Sequence, residues 1–275
     1  MTPKIILIIF LCIILFYLIN QKSIEKFGNN LKIKKIISRG KKLESKKENF
    51  DNDFKISVLI LSYNRPWNLK KSIPNLLKLN MIDEIIILHG HKDFKEEINL
   101  PRVKNIDDWV VNNEIYTMRR FKNINYCKNE NVLILDDDLL PDQELINSLV
   151  KLYKKDKLNF YGPFMRMCDK KKYKTVGSNY NTVLTGLTLR TKTLINNVWK
   201  EMENDKKLYD VVVKQKGNCE DLFFNHVFKK IYKKKPVGLA RNNKKYYLDN
   251  TNGFSNSGVY DSYKLRGKFC KMIDS

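Results

Sequence analysis

Three consecutive aspartates, Asp136 to Asp138, directly follow the apolar run Val132–Leu135. Carboxylates held together at the end of a buried strand repel one another, so packing them is costly unless a cation neutralises them. A hard divalent ion meets that need, because Mn²⁺ and Mg²⁺ prefer oxygen ligands and normally also hold substrate phosphates. The alternative is a solvated turn before the next helix, for which Asp142 is a candidate cap. The position behind an apolar strand favours a metal and nucleotide site.

The elements that must position these aspartates are four apolar runs in the first half of the chain. The runs alternate with two segments of helical periodicity, Trp67–Leu79 and Trp109–Phe121. Strands that are apolar on both faces and alternate with helices predict an α/β fold, with a mostly parallel, Rossmann-like sheet and helices on both faces. The predicted strands are Ile56–Leu61, Glu84–Leu88, Val103–Ile106 and Val132–Leu135.

Ligands of such sheets bind just beyond the carboxyl ends of the strands. That rule selects three segments, Ser62–Arg65, His89–His91 and Asp136–Asp138. The second half of the chain is mixed. It contains two predicted strands, two predicted helices and one Gly/Ser/Asn-rich loop suited to binding, namely Phe160–Met165, Val183–Leu189, Thr191–Glu203, Glu220–Lys230 and Gly253–Tyr260.

The charge of the chain invites a nucleic-acid interpretation. There are 52 Lys+Arg against 30 Asp+Glu, which gives a formal net charge of +22. Only nine of the basic residues are arginines, and arginine is the residue that usually reads phosphates and bases. Lysines spread along the chain favour a coding bias, with electrostatic attraction to acidic partners as the alternative. We therefore predict no nucleic-acid partner.

The N-terminus carries an unbroken apolar run, Ile5–Ile19. As a helix it would span about 22 Å, short of the roughly 30 Å hydrocarbon core. Snorkelling lysines and a thin early secretory membrane close that gap. No small-x-small cleavage site follows the run, which favours a signal-anchor over a cleaved signal peptide. We predict a tail at 1–4, a transmembrane signal-anchor at 5–20, a stem or linker at 21–53 and a globular domain at 54–275.

The orientation of this anchor stays open at the level of sequence. Five lysines between Lys22 and Lys35 outnumber Lys4, and the positive-inside rule would then keep the domain in the cytosol. The chain has no Asn-x-Ser/Thr acceptor that would support luminal residence. A chain that is rich in lysine throughout, however, gives the positive-inside rule little contrast.

Five short motifs occur in an order that resembles one known family. They are SYNR at Ser62–Arg65, VLILDDD at Val132–Asp138, VLTG at Val183–Gly186, NCEDLFFN at Asn218–Asn225, and GFS followed by a cysteine between Gly253 and Cys270. A P-loop and a GxGxxG motif are both absent, so no glycine loop would grip the phosphates. The chain resembles the exostosin-like glycosyltransferases of family 64, over roughly residues 55–275. That resemblance implies a GT-A fold.

The resemblance also implies how a donor nucleotide would bind. Asp136 would contact the ribose, Asp137 would lie near the donor sugar, and Asp138 would ligate Mn²⁺, with Mg²⁺ as the alternative. Arg65 falls on a uridine-binding basic residue of the family. Arg120, with Arg119 as the alternative, falls on an arginine that helps bind the nucleotide.

For catalysis the resemblance implies an acidic pair and an arginine. Glu220 and Asp221 match an Asp-Asp pair, so the first position departs from the family by one methylene. Asp221 would be the catalytic carboxylate, and Glu220 would bind hydroxyls. The catalytic arginine of the family lies three residues before a cysteine, which here is Gly267. Arg266 is the candidate after a one-residue slip, and Lys268 is the fallback.

The chain has five cysteines, and no spacing among them indicates zinc. From the residues alone, the four that follow the apolar run could be free or could include one or two bridges. The resemblance implies a Cys219–Cys270 disulfide, with Cys127 and Cys168 free and buried. A disulfide requires an oxidising compartment. We therefore expect a single-pass type II membrane protein of the endoplasmic reticulum or Golgi lumen if the bridge forms, and leave a cytosol-facing domain as the alternative.

Taken together, the residues and the resemblance predict a Mn²⁺-dependent retaining glycosyltransferase. It would transfer an N-acetylhexosamine (GlcNAc or GalNAc) from a UDP-sugar to a glycan or glycoprotein acceptor. Two alternatives are an inverting enzyme of the same fold, with Asp221 as general base, and a catalytically inactive membrane-anchored module that binds sugar nucleotides or glycans. The one-residue shift of Arg266 is the reason for the second alternative, the inactive module.

Overall fold

The computed structural model describes residues 54–169, 172–239, 246–248 and 262–273. Ten strands occur in this part of the chain. In order they are β1 (Ile56–Ser62), β2 (Ile82–His89), β3 (Val103–Asp107), β4 (Asn131–Asp136), β5 (Tyr161–Gly162), β6 (Met165–Cys168), β7 (Tyr173–Thr175), β8 (Thr182–Val183), β9 (Leu187–Thr191) and β10 (Val237–Gly238).

Eight α-helices and two short 3-10 helices connect these strands in the described part. The helices are α1 (Pro66–Leu76), α2 (Trp109–Ile115), α3 (Arg119–Lys122), α4 (Gln143–Lys155), α5 (Lys192–Asn204), α6 (Lys206–Lys214), α7 (Glu220–Tyr232) and α8 (Ser262–Ile273), and the 3-10 turns are Tyr116–Met118 and Asn123–Tyr126.

Seven of the strands form one sheet in the order β10-β5-β9-β4-β1-β2-β3. Strands β4, β1, β2 and β3 are parallel neighbours, and β10 is parallel to β5. Strand β9 is antiparallel to both β4 and β5. The predicted α/β class with a mostly parallel sheet is confirmed. The remaining strands form a small antiparallel sheet in the order β7-β6-β8.

The central strands are buried on both faces. Side chains alternate between the two faces of a strand, and all seven residues of β1 are buried. Leu59 and Leu61 of β1 belong to a core cluster that also contains Phe121 and Phe224. Burial of both faces is the arrangement that the continuous apolar runs predict, because a parallel sheet leaves neither face to solvent.

Three sequence predictions need correction at the level of the elements. The predicted helix over 109–121 is interrupted at Tyr116, whose φ of 53° places it in the left-handed region. The break separates α2 from α3. The predicted strands over 160–165 and 183–189 are each two short strands, and one member of each pair belongs to the small sheet.

In the described ranges, no helix is long and apolar enough to cross a membrane. The predicted tail at 1–4, anchor at 5–20 and stem at 21–53 lie outside the described residues, as does the Gly253–Tyr260 loop.

Candidate active site

A cleft of about 660 Å³ opens at the carboxyl ends of the parallel strands. The register places the end of β1 beside the end of β4, since Leu61 pairs with Asp136, and Ser62 pairs with His89 at the end of β2. Residues lining the cleft include all the predicted donor and catalytic side chains, namely Arg65, Arg120, Asp136, Asp137, Asp138, Glu220, Asp221 and Arg266. These come from five separate stretches of the chain, and the fold brings them into one cavity.

Arg65 neutralises two of the three aspartates. Its Nη1 donates to Oδ2 of Asp138 at 2.9 Å, and its Nη2 donates to Asp137. The backbone N–H of Tyr63 donates to the other oxygen of Asp137 at 3.2 Å. Arg65 immediately precedes α1, so the β1–α1 loop is attached to the β4 end through charge-assisted hydrogen bonds. The Nε of Arg65 is buried without a hydrogen-bond partner in the described residues.

Two of the three aspartates have raised pKa values. Burial raises the pKa of Asp137 to about 6, although Arg65 opposes that shift. Burial and the neighbouring charge of Asp136 also raise the pKa of Asp138. The side chain of Asp138 is 17% exposed and that of Asp136 is 35% exposed. Asp136 and Asp138 are therefore the carboxylates that a cation in the cleft could reach.

Arg120 links the aspartates to the acidic pair of α7. Its Nη1 lies 3.0 Å from Oδ1 of Asp136, and its Nη2 lies 3.7 Å from Oε1 of Glu220. Its Nε donates to the carbonyl of Thr117 at 3.1 Å. Burial would lower the pKa of this guanidinium, but the attraction of Asp136, Glu220 and Asp221 together outweighs it and the pKa is raised. One buried cation thus faces both carboxylate groups of the cleft.

Arg119 has a different role, although it also borders the cleft. Its Nη1 donates to Asp108 at 2.9 Å and to the carbonyl of Leu88 at 3.1 Å, and its Nη2 donates to the carbonyl of Ser62 at 3.1 Å. A Cβ on Gly90 would lie 2.4 Å from that Nη2, so a glycine is needed there. Arg119 therefore joins the ends of β1 and β2, and Arg120 is the arginine that faces the aspartates.

Glu220 and Asp221 occupy the first turn of α7, where the helix dipole favours negative charge. The preceding Cys219 has a φ of 83°, a left-handed conformation that turns the chain into the helix. Burial and the neighbouring Asp221 raise the pKa of Glu220 to about 7, while Arg120 opposes the shift. Thr185 donates to Glu220 at 3.5 Å. At neutral pH, Glu220 can therefore both donate and accept a proton.

Arg266 lies in the cleft despite the one-residue slip in the motif. Its Nε donates to Oδ1 of Asn218 at 3.1 Å. Burial would lower the pKa of this guanidinium, but the attraction of Asp221, Tyr173 and Glu220 together outweighs it and the pKa is raised. The fallback residue, Lys268, is exposed and does not line the described cleft. Of the two candidates, Arg266 therefore lines the described cleft, and its catalytic role stays a prediction.

A buried cation–aromatic cluster supports the helices that carry these groups. The guanidinium of Arg190 lies 4.9 Å from the ring centre of Phe160, 4.4 Å from that of Phe224 and 5.9 Å from that of Phe121. Phe121 follows Arg120 in α3, and Phe224 belongs to α7. The cluster thereby packs α3 and α7 against β9. This packing fixes Arg120 of α3 relative to the acidic pair of α7.

The predicted Cys219–Cys270 disulfide is wrong in this structure, because Cys270 is bonded to Cys168. Cys168 ends β6, and α8 packs beside the small sheet, so the two cysteines meet with their Cα atoms 5.5 Å apart. The thiol of Cys219 instead contacts Oε1 of Gln215 at 3.2 Å. Burial raises the pKa of the Cys219 thiol, which makes it a poor nucleophile toward the bridge. Cys127 is free and buried, as predicted.

Several residues of the cleft had no role in the sequence prediction. A Cβ on Gly186 would lie 2.0 Å from Oδ2 of Asp136, so the glycine of the VLTG motif makes room for that carboxylate. Tyr247 and Arg166 also line the cleft. The motif was a usable signal for Gly186. The other two lie in segments without clear periodicity, and no pattern marked them.

The chain is similar to a known protein family and, more distantly, to a solved structure. Residues 56–268 match the domain described as "Glycosyl transferase family 64 domain". No curated protein sequence matches the chain. One similar solved structure is "Crystal structure of GalNAc-T7 with UDP, GalNAc and Mn2+", with 14% identity and a TM-score of 0.42 over 54% of this chain and 37% of that chain. That likeness is too distant to carry an argument.

The match to the family domain extends over more than half of the 275 residues. It begins at the first residue of β1 and ends in α8, two residues beyond Arg266, so it contains every residue predicted to bind the donor or take part in catalysis. The chain therefore belongs to glycosyl transferase family 64.

Proposed function

We propose that this protein is a Mn²⁺-dependent retaining glycosyltransferase with a GT-A-type fold. It transfers an N-acetylhexosamine, GlcNAc or GalNAc, from a UDP-sugar to a glycan acceptor. The proposal rests on the convergence of two clusters of acidic side chains and three arginines in one cleft. The clusters are Asp136–Asp138 and Glu220–Asp221, and the arginines are Arg65, Arg120 and Arg266. The arginines complement the negative charge of a sugar diphosphate, and the carboxylates complement a divalent cation and the hydroxyls of a sugar.

The nucleotide would bind on the side of the cleft that carries Arg65 and Arg120. Arg65 has a buried Nε without a partner in the described part of the chain. Asp136 is the most exposed of the three aspartates, and its carboxylate can accept hydrogen bonds from ribose hydroxyls. The positive charge of the two arginines would orient the diphosphate toward Asp138.

The residues of the cleft fit a divalent cation. Asp136 and Asp138 are partly exposed carboxylates whose mutual repulsion contributes to the raised pKa of Asp138, and a cation would relieve that repulsion. Across the described ranges, no group of three or more His, Cys, Asp or Glu side chains could hold a metal by itself. Such a site matches Mn²⁺ or Mg²⁺ held by one or two carboxylates together with substrate phosphates. When bound, the metal would neutralise charge on the leaving diphosphate.

The acidic pair of α7 would act at the anomeric carbon. Asp221 is 3% exposed and lines the cleft, so its carboxylate would stabilise positive charge on the sugar ring or attack it covalently. Glu220, with a pKa of about 7, would hold a donor or acceptor hydroxyl. Arg266, on the opposite side of the pair, would neutralise the departing diphosphate. Its place in the cleft supports activity over the alternative of an inactive binding module.

The experiment that tests the proposal is a titration of the detergent-purified full chain with UDP and UDP-sugars, with and without Mn²⁺, by calorimetry. We expect UDP affinity to depend on Mn²⁺ and to fall at least tenfold in Asp138→Asn. Asp142→Asn is the matched control, because Asp142 caps α4 outside the described cleft. A UDP affinity that is the same with and without Mn²⁺, and the same in Asp138→Asn as in the wild type, would refute the metal site. The anomeric configuration of the product, read by NMR, separates retention from inversion.

We also propose that the domain faces an oxidising lumen behind an N-terminal type II anchor. The Cys168–Cys270 bridge supports this compartment, because disulfides persist where thiols are not kept reduced. Protease protection of the domain in sealed microsomes tests the orientation. Complete digestion without detergent would place the domain in the cytosol.

A further inference from the structure

The guanidinium of Arg266 has three contacts that leave it little freedom. Its Nε donates to Asn218 at 3.1 Å, and its Nη1 donates to the hydroxyl of Tyr173 at 3.3 Å. The guanidinium carbon also lies 5.3 Å from the centre of the Tyr173 ring. Tyr173 therefore contacts Arg266 both through its hydroxyl and through its ring face.

The position of Tyr173 is fixed by the small sheet. Tyr173 is 6% exposed and stands directly opposite Cys168 in the antiparallel β6–β7 ladder. Cys168 is bonded to Cys270 of α8. Residues four apart share one face of a helix, so Cys270 and Arg266 project from the same side of α8. The bridge and the ring thus hold the same helix face, one covalently and the other by contact.

We propose that Tyr173 and the Cys168–Cys270 disulfide are a positioning device for Arg266. The inference rests on the proposed function, in which Arg266 neutralises the leaving diphosphate. Tyr173 does not touch the reacting atoms and acts through Arg266.

The physical reason for such a device is entropic. A free arginine side chain has many rotamers, and ordering it during the reaction would raise the barrier. An arginine that is held in advance stabilises developing charge without that cost. The hydroxyl of Tyr173 remains a neutral acceptor, because burial raises the pKa of the phenol.

The first test is Tyr173→Phe, which removes the hydroxyl and keeps the ring. We expect kcat to fall roughly tenfold, since a hydrogen bond to a charged group is lost, while KM for the donor and the Kd of UDP change by less than about twofold. The matched control is Tyr161→Phe. Tyr161 is equally buried and loses a 2.7 Å bond to the carbonyl of Asp156, away from the described cleft. Equal rates for the two variants would overturn the inference.

A double-mutant cycle with Arg266→Gln separates positioning from a general loss of stability. If Tyr173 acts through Arg266, Tyr173→Phe should change kcat by less than about twofold in the Arg266→Gln background. Multiplicative losses would contradict the inference. A wild-type protein without transfer activity and without Mn²⁺-dependent UDP binding would instead refute the proposed function. An active wild type with an unaffected Tyr173→Phe variant refutes the positioning role alone.

The disulfide has its own test. Peptide mapping of the non-reduced full chain should recover a Cys168–Cys270 cross-linked peptide, and a Cys219–Cys270 peptide would overturn this part of the inference. The paired variant Cys168→Ser/Cys270→Ser should lose kcat by a factor similar to Tyr173→Phe, assayed below its melting temperature. Cys127→Ser is the control, since that cysteine is buried and free. Wild-type kcat in the paired variant would show that Arg266 does not depend on the bridge.

Discussion

Arg120 and Asp136 form an ion pair inside the cleft, with Nη1 of the arginine 3.0 Å from Oδ1 of the aspartate. The same guanidinium lies 3.7 Å from Glu220. Asp136 and Glu220 of the acidic pair on α7 therefore share one buried cation. A substitution of Arg120 should therefore affect both Asp136 and Glu220.

Replacing Arg120 by methionine should be strongly destabilising. We expect a loss of about 3–5 kcal/mol of unfolding free energy, because two carboxylates are left without their buried partner. Denaturant titration measures the loss. Lys128→Met is the contrast, since that lysine is 58% exposed and pairs with Asp83 at 3.0 Å. The exposed pair should contribute at most about 1 kcal/mol. Similar losses for the two variants would contradict the assignment of Arg120.

The stability of the ligand-free protein should fall as pH rises from about 4.5 to 7. The pKa of Glu220 is raised to about 7 and that of Asp137 to about 6, so the folded state binds protons that the unfolded state has already released. Protonated carboxyls are therefore stabilising below this window, and that stability is lost as pH passes the folded-state values. Melting temperatures across the window measure the effect.

The control for this pH dependence is Glu220→Gln, which keeps the side-chain shape and cannot ionise. Its melting temperature should vary less between pH 4.5 and 7 than that of the wild type. Parallel curves for the two proteins would mean that Glu220 does not carry the raised pKa.

Gly186→Ala should impair donor binding more than it impairs folding. The added Cβ would meet Asp136 at 2.0 Å, and the carboxylate would have to leave its place beside Arg120. We expect UDP affinity to fall at least tenfold, measured by calorimetry. Gly177→Ala is the matched control, because a Cβ there meets nothing within 4 Å. If both alanine variants bind UDP like the wild type, the close approach of Gly186 to Asp136 has no functional role.

Removing the disulfide should cost stability. The bridge closes a loop with a sequence separation of 102 residues, and the paired Cys168→Ser/Cys270→Ser variant should lose about 2–5 kcal/mol of unfolding free energy. Reducing agent should lower the melting temperature of the wild type to about that of the paired variant. The melting temperature of the paired variant itself should not change on reduction. A melting temperature of the wild type that ignores reduction would argue against a bridge.

The sequence was informative where local pattern and function coincide. The continuous apolar strands marked both the sheet and the ends at which Arg65 and Asp136–Asp138 lie, because a buried parallel strand needs apolar residues on both faces. The interruption at Tyr116 had no comparable signal, since a single left-handed residue leaves helical periodicity nearly intact. Arg119 and Arg120 are consecutive residues of the helix that begins after this interruption, so their side chains point in different directions, and only the structure distinguishes their roles.

The cysteine pairing is a second feature that the sequence did not predict. The motif around Cys219 implied a partner in Cys270, but pairing depends on which strand end approaches α8. That approach is set by the packing of the small sheet, whose short strands β6, β7 and β8 give weak patterns. The proposed role of Tyr173 could not be predicted from sequence for the same reason, because it depends on the pairing of Tyr173 with Cys168 in a three-residue ladder.

The position of Arg266 on α8 has a consequence for biosynthesis. Every other predicted donor-binding or catalytic residue precedes residue 222, whereas α8 is the last described element of the chain. During synthesis from the N-terminus, the aspartates, Arg65, Arg120 and the acidic pair are all made before Arg266 emerges. A chain that stops before α8 would therefore contain the other residues of the proposed donor site and lack the arginine proposed to neutralise the diphosphate. Transfer would become possible only once α8 has been synthesised and packed beside the cleft.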